Sequence, residues 1–382
     1  MSSNISTSNR PERLYFIDNI RIFLTVLVIL HHLMVIYSGN GSWMYNEERQ
    51  DEITGALGAW FCAVNQAYFM GLFLFISAYF VPGAYDRKGL VRFLKDRLIR
   101  LGIPLVVYGW IIRPLWAYNL WHIRIPYWTW FTGDYFRYYS IIGGGPLWFI
   151  EVLLIFAILY AILRRIFSPH PIKPVREAPF PTDGWIILFA LLLGIGTFLV
   201  RVRFRQGVSY VPLNLQFANF AQYISLFVLG LAAWRRNWIQ NLPEKTGRRW
   251  SIVAVIIGLS FAPLALLLGL DKNTDLVEGG WHWQGLAAAW WESFLCISMC
   301  IGVIYIFRRY FNGHGPVASW LARNAYTAYL IHEPVITSVA LSVMLVMIYP
   351  LLKFVLMGLF TVPLTFLLSA LIRKIPFADR VL

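Results

Sequence analysis

The sequence predicts an all-α, polytopic integral membrane protein of about ten transmembrane helices, with its N- and C-termini both on the cytoplasmic side. Three observations predict it. The 382 residues are 58% hydrophobic and only 14% charged, where soluble domains run to about a quarter charged. Several stretches of roughly 18 or more residues carry no charge, the length that crosses a bilayer. The basic residues fall in short clusters between those stretches and do not form one patch. The formal net charge of +14 therefore marks topology and not nucleic-acid binding.

The elements follow in order along the chain. Residues 1–15 form a short polar tail, read as cytoplasmic. The first apolar run is longer than a signal-peptide core, has no A-x-A site, and carries Asp18 and Arg21. It reads as an uncleaved anchor. Helices are expected near 16–37, 57–80, 102–118, 146–163, 185–200, 218–234, 251–270, 285–307, 319–340 and 354–372. The Pro-rich stretch from Ser168 to Pro181 reads as a loop. The chain, 1–382, is taken as a single integral membrane domain.

Loop charges set the orientation. With the N-terminus inside, the inside segments hold about 22 Lys and Arg, and the outside segments about 8. The outside group is Arg49, Arg124, Arg137, Arg201, Arg203, Arg205, Lys272 and Lys353, and the acidic stretch Glu47, Glu48, Asp51, Glu52 falls on the same side. The excess favours N-in and C-in, hence an even helix count. Cys62, Cys296 and Cys300 all lie in apolar runs. They read as packing residues and imply no disulfide framework.

A charge at mid-bilayer costs at least about 2.5–3.5 kcal/mol, so ionisable residues inside spans are functional candidates. The first helix has Asp18, Arg21, His31 and His32. Arg21 and His32, eleven residues apart, lie within roughly 20° of one face. Asp18, three residues before Arg21, can pair with it. One stripe thus carries Asp18, Arg21 and His32, and His31 points elsewhere. Glu151 in the fourth helix, and His332 and Glu333 in the ninth, fall at a depth comparable to His32. Such a set suits buried acid–base chemistry: a histidine takes a hydroxyl proton and a second group orients it or holds its charge. His32, Glu151 and His332 are the candidate catalytic residues. Hydrogen bonding that merely packs the bundle is the alternative, and His31 and Glu333 are read that way.

Arg97 and Arg100 are three residues apart on one face of a cytoplasmic amphipathic segment. Guanidinium forks suit phosphate oxygens, though anionic headgroups of membrane lipids would also attract them. Arg201, Arg203 and Arg205 could draw an anionic acceptor or bind headgroups and carbonyls. The aromatic-rich segment Tyr108 to Tyr139 reads mainly as an interfacial belt, with sugar stacking as the other use. No metal site is indicated, since the histidines are scattered without H-x-x-x-H or Cys/His spacing. A proton-coupled transporter of a glycan or small solute could use the same His and Glu residues, but no paired broken helices point to one.

The opening helix, Phe16-Ile-Asp-Asn-Ile-Arg-Ile-Phe-Leu-Thr-Val-Leu-Val-Ile-Leu-His-His32, resembles the D-x-x-R-x10-H helix of the acyltransferase 3 family. Leu74-Phe-Ile-Ser-Ala-Tyr-Phe80 is similar to its F-F-x-x-S-G-Y segment, with Ala78 in place of the Gly. Phe93-Leu-Lys-Asp-Arg-Leu-Ile-Arg-Leu-Gly-Ile-Pro104 resembles its R-x-x-R-x-x-x-P signature, which falls on Arg97 and Arg100. Gly145-Pro-Leu-Trp-Phe-Ile-Glu151 and Tyr329-Leu-Ile-His-Glu-Pro334 are similar to its L-W-F-x-x-x-L and Y-L-x-H-x-P segments. The resemblance implies ten helices, the family Arg at Arg21 and the catalytic His at His32. It implies acyl transfer from cytoplasmic acyl-CoA, a co-substrate and not a bound cofactor, to a hydroxyl on the outer side. The acceptor would be a cell-envelope glycan, a lipid-linked sugar or a small molecule, and the location a cell membrane of the bacterial inner-membrane type. Arg21, Asp18, Arg97 and Arg100 are then candidate substrate-binding residues. Within the family the opening is also similar to members that succinylate periplasmic glucans. The membrane-bound O-acyltransferases, a different fold, place their His in a later helix.

Overall fold

The computed structural model of the protein describes residues 13–139, 145–168, 178–210, 213–270 and 273–382. Most of the N-terminal tail, most of the Pro-rich loop, and Arg10, Lys173, Arg176 and Lys272 of the charge count lie outside the described residues. The fold is all helical. Among the described residues no strand forms beyond one antiparallel bridge, Tyr210 with Leu215.

The long helices, numbered along the chain, are α1 (Tyr15–Ser38), α2 (Glu52–Tyr79), α3 (Val81–Leu120), α4 (Gly145–Phe167), α5 (Asp183–Arg203), α6 (Phe217–Arg235), α7 (Glu244–Leu259), α8 (Phe261–Leu268), α9 (Trp283–Tyr310), α10 (Pro316–Ser342) and α11 (Pro350–Ile372). Among the described residues, eight are long and apolar enough to cross a membrane, and the 45° bent pair α7–α8 makes a ninth. The chain is a multi-pass membrane protein. The remaining expected span, 319–340, is α10. It has 27 residues, but Arg323, His332 and Glu333 lower its apolarity.

The expected helix 102–118 proves to be the second half of a 40-residue helix, α3. Its first, amphipathic half carries Arg97, and a kink marks Gly89 at φ +70°. The backbone widens into π turns at Leu98–Gly102 and Tyr108–Ile112. Each precedes a proline, Pro104 or Pro114, whose ring and missing N–H disturb the regular ladder. The helix continues through both and turns Tyr108 and Arg113 into the bundle.

Burial separates centre from periphery. In the most apolar window of α1, 67% of residues are buried within the protein, against 28% for α11 and 33% for α5. The outer helices instead face lipid, with Leu259, Leu266 and Leu359 exposed. Small residues let backbones approach where the hydrophobic effect cannot drive helices together. A Cβ on Gly230 of α6 would sit 2.3 Å from the Phe75 carbonyl of α2 and 2.7 Å from the Ala78 Cβ. The close approach beside Ala78 is thus made by the glycine across the interface, and Ala78 is fully buried there.

Candidate active site

Near its C-terminal end α1 opens onto a chamber of about 580 Å³. Its walls come from α1, α2, the start of α4, the start of α6, Tyr329 of α10, and the connections 39–51 and 204–216. His32 and His31 both line it. The remaining polar lining is neutral: the amides of Asn40, Gln66, Gln206, Asn214, Gln216 and Asn219, and the hydroxyls of Ser42, Ser209, Tyr223 and Tyr329. Trp43 and Trp148 complete it, and Trp148 stacks on Tyr223 at 5.2 Å.

His32 is half-buried. Trp43 covers one face of its ring at a centroid distance of 4.0 Å, and His332 of α10 lies near-parallel at 5.3 Å. His31 meets the ring edge-on at 5.4 Å. It therefore faces the same chamber and not another part of the bundle. His332 is fully buried. Its Nδ1–H donates to the Tyr329 carbonyl at 2.5 Å, and its Nε2 has no hydrogen-bond partner among the described residues. That bond fixes the tautomer and leaves an accepting lone pair on Nε2.

Two of the segments that carry the sequence resemblance meet here. The Tyr329 hydroxyl donates to the Pro146 carbonyl. Gly145, at φ +52°, sits so close to Glu333 that a Cβ would lie 2.7 Å from its Oε1. Glu333 itself accepts from the Tyr108 hydroxyl and pairs with Arg113 at 3.4 Å. These contacts tie α3 to α10. Glu151 does not line the chamber. It is buried, and its two oxygens have no hydrogen-bond partner among the described residues. Trp148 does line the chamber, so Glu151, three residues on, lies one turn deeper on nearly the same face.

The other end of α1 gathers cations. Asp18 pairs with Arg21 at 3.4 Å and with Arg13 at 2.8 Å. Arg21 lies over the Phe80 ring and interacts electrostatically with Arg97. Arg97 and Arg100 line a cavity of about 180 Å³ with Lys88, Phe93 and Asp96. This cavity shares no lining residue with the His32 chamber. The Arg100 carbonyl accepts from the Tyr326 hydroxyl at 2.5 Å.

Of Arg201, Arg203 and Arg205, the first and last are ion-paired within the protein. Arg201 forks onto Glu292 at 2.6 and 2.9 Å and reaches Asn219, a chamber residue, at 3.2 Å. Arg205 pairs with Glu278 and Asp275. Arg203 lies over Phe204. The aromatic segment Tyr118 to Tyr135 packs on itself and contributes nothing to the chamber lining.

Sequence reasoning missed Trp43, Arg113 and Lys353. Arg113 sits inside a predicted span and is 5% exposed; the rule that flagged Arg21 applies equally to it. Lys353 was counted as a loop charge. It lies in the first turn of α11, 1% exposed, and binds Glu47 at 2.6 Å. Trp43 lies in a short loop with no periodicity to reveal it.

The acyltransferase-domain family model matches residues 14–370. The glucans biosynthesis protein C of Escherichia coli is 23% identical over 341 residues, 85% of this chain and 82% of that protein. The glucans biosynthesis protein C of Salmonella gallinarum is 26% identical over 234 residues, 58% of each chain. No solved structure matches. The match runs from the start of the first helix to the end of the last long one and takes in the chamber and the arginine cavity alike; the chain belongs to the acyltransferase 3 family and is a membrane acyltransferase.

Proposed function

We propose that the protein moves an acyl group from acyl-CoA to a hydroxyl of a cell-envelope glycan, with His32 as the general base. The observation that carries this reading is the placement of the His32 ring. It opens into a polar chamber, lies against Trp43 on one face with His332 beside it, and makes no ion pair among the described residues. An imidazole so placed takes the proton of an acceptor hydroxyl. The oxygen attacks the thioester carbonyl, a C–O bond forms, the C–S bond breaks, and the proton passes to the departing thiolate of coenzyme A. His332, buried beside His32 with its Nε2 unpartnered among the described residues, is an additional proton acceptor. Glu151, behind Trp148, is the further polar group available to the site.

The chamber chemistry favours a sugar over a charged acceptor. Amides and hydroxyls recognise hydroxyl groups, and the faces of Trp43, Trp148 and Tyr223 suit the C–H faces of a pyranose. A lipid-linked sugar or a small polyol would present the same groups. Arg97 and Arg100 dock the diphosphate and 3′-phosphate of coenzyme A at the opposite end of the bundle, with Asp18 and Arg21 beside them. This arrangement fits a protein with both termini inside, in a bacterial inner membrane, with the donor in the cytoplasm and the acceptor outside.

The test is turnover in lipid nanodiscs with labelled acetyl-CoA or succinyl-CoA and a glucan oligosaccharide. Release of free coenzyme A that depends on the oligosaccharide, with label appearing on it as an ester, supports the reading. Release independent of the oligosaccharide, or none with either donor, counts against it.

A further inference from the structure

The connection between α1 and α2 is built as a strap across the reacting histidine. The chain leaves α1 at Gly39, whose φ of +69° turns it sharply, and folds back so that the Glu47 N–H donates to the Ile36 carbonyl at 3.0 Å. Asn46 accepts from the Trp43 N–H at 3.2 Å, and Asn40 donates to the Gly55 carbonyl at 2.7 Å. Distant helices then fasten the segment. The Trp43 Nε1–H donates to Thr337 Oγ1 of α10 at 3.0 Å, the Tyr349 hydroxyl to Asp51 at 2.7 Å, and the Lys353 ammonium to Glu47 at 2.6 Å. Glu47 and Lys353 are 5% and 1% exposed, so this pair acts in a setting that screens it little.

We propose that Trp43 is a positioning residue for His32, and that the Glu47–Lys353 pair is the latch that holds it in place. The indole stacks on the imidazole at 4.0 Å with planes 25° apart. Its Nε1–H is anchored to Thr337, on the same helix as His332. One side chain therefore ties the ring on α1 to the helix bearing its stacked neighbour. A histidine at the mouth of a chamber could otherwise rotate about its side-chain torsions, and a misplacement of about 1 Å can cost about 10²-fold in rate. The strap removes that freedom while the open side of the ring still faces the chamber. Glu47 stands at the base of the strap, four residues beyond Trp43, so releasing it frees the segment that carries the indole.

This inference rests on His32 being the base. The experiment measures kcat and both KM values in nanodiscs, with acetyl-CoA or succinyl-CoA and the glucan oligosaccharide. The variants are Trp43→Ala, Trp43→Phe, Lys353→Met, the charge swap Glu47→Lys with Lys353→Glu, and His32→Ala. Thermal melting is followed for each. The expected result is a fall in kcat of about 10–10²-fold for Trp43→Ala with donor KM unchanged. Trp43→Phe should recover part of that loss, since a stacking ring is restored without the Nε1–H anchor to Thr337. Lys353→Met should lower kcat like Trp43→Ala, and the swap should recover part of it. Wild-type kcat in Trp43→Ala overturns the proposal, as does an equal loss in Trp43→Phe. Should Trp43→Ala fail to fold, Trp43→Phe and the latch variants decide by the same criteria. Full transfer by His32→Ala would instead remove the base assignment, whatever Trp43 does.

Discussion

The imidazole of His32 and the indole of Trp43 lie face to face, with centroids 4.0 Å apart. Eleven residues separate them in the chain, yet the contact is made at the junction of three helices. α1 supplies His32, α10 receives the indole N–H through Thr337, and α11 holds the loop through Lys353. The His32 ring is thus held by parts of the chain about 300 residues apart.

His332 lies near-parallel to the His32 ring at 5.3 Å, beside Trp43, and holds one tautomer through Tyr329. Replacing it with Phe keeps the stacking and removes Nε2. Transfer by His332→Phe should fall by about 10²-fold or more, since a positioned acid–base group typically contributes about 10²–10⁴-fold. Initial rates at saturating donor and acceptor measure it. Unchanged rates would show that His332 only packs.

The arginine cavity predicts a split in apparent binding. Arg97→Ala should raise the KM for acyl-CoA by about 10-fold or more, the worth of about 1.5–3 kcal/mol for a charge-assisted hydrogen bond. Acceptor KM should change little, because the cavity shares no residue with the His32 chamber. Arg97→Lys should recover only part of the loss, since an ammonium lacks the planar fork. A larger effect on acceptor than on donor would contradict the docking assignment.

The buried Lys353–Glu47 pair also has a stability consequence. Lys353→Met alone leaves the Glu47 carboxylate without its cation in a closed site. Loss of one partner from a buried pair typically costs about 3–5 kcal/mol. The midpoint of thermal unfolding in detergent should fall measurably. Removing both charges together, with Glu47→Leu and Lys353→Met, should recover most of the loss, because no unpaired charge remains. A double variant as unstable as the single one would mean that the pair is not what destabilises it.

Parts of this arrangement were legible in the sequence because they are local. Helical periodicity placed Asp18 and Arg21 together, and they pair at 3.4 Å. Run length and apolarity gave the bundle, and depth counting brought His32 and His332 to one level, where their rings stack. The same counting put Glu151 at that depth but not its direction, and it stands behind the wall. His31 was assigned to another face, yet α1 is so central that several of its faces meet protein, and His31 lines the chamber as well. Arg201, Arg203 and Arg205 were read as attracting an anionic acceptor or binding headgroups and carbonyls. The carboxylate partners of Arg201 and Arg205, Glu292 and Glu278, come from residues some 70–90 positions later. Lys353 and Glu47 were read as loop charges because nothing in one sequence couples positions 306 apart. Trp43 had no signal at all, since a loop has no period and its partners are a helix end and a distant threonine.

The most direct measurement is acyl transfer by His32→Ala in nanodiscs, alongside wild type, with labelled donor and glucan oligosaccharide. Folding is checked by thermal melting, and the donor site by protection from unfolding with added coenzyme A. A folded variant that still gains stability from coenzyme A but transfers no detectable label is the predicted result. Transfer within a few-fold of wild type would contradict the account.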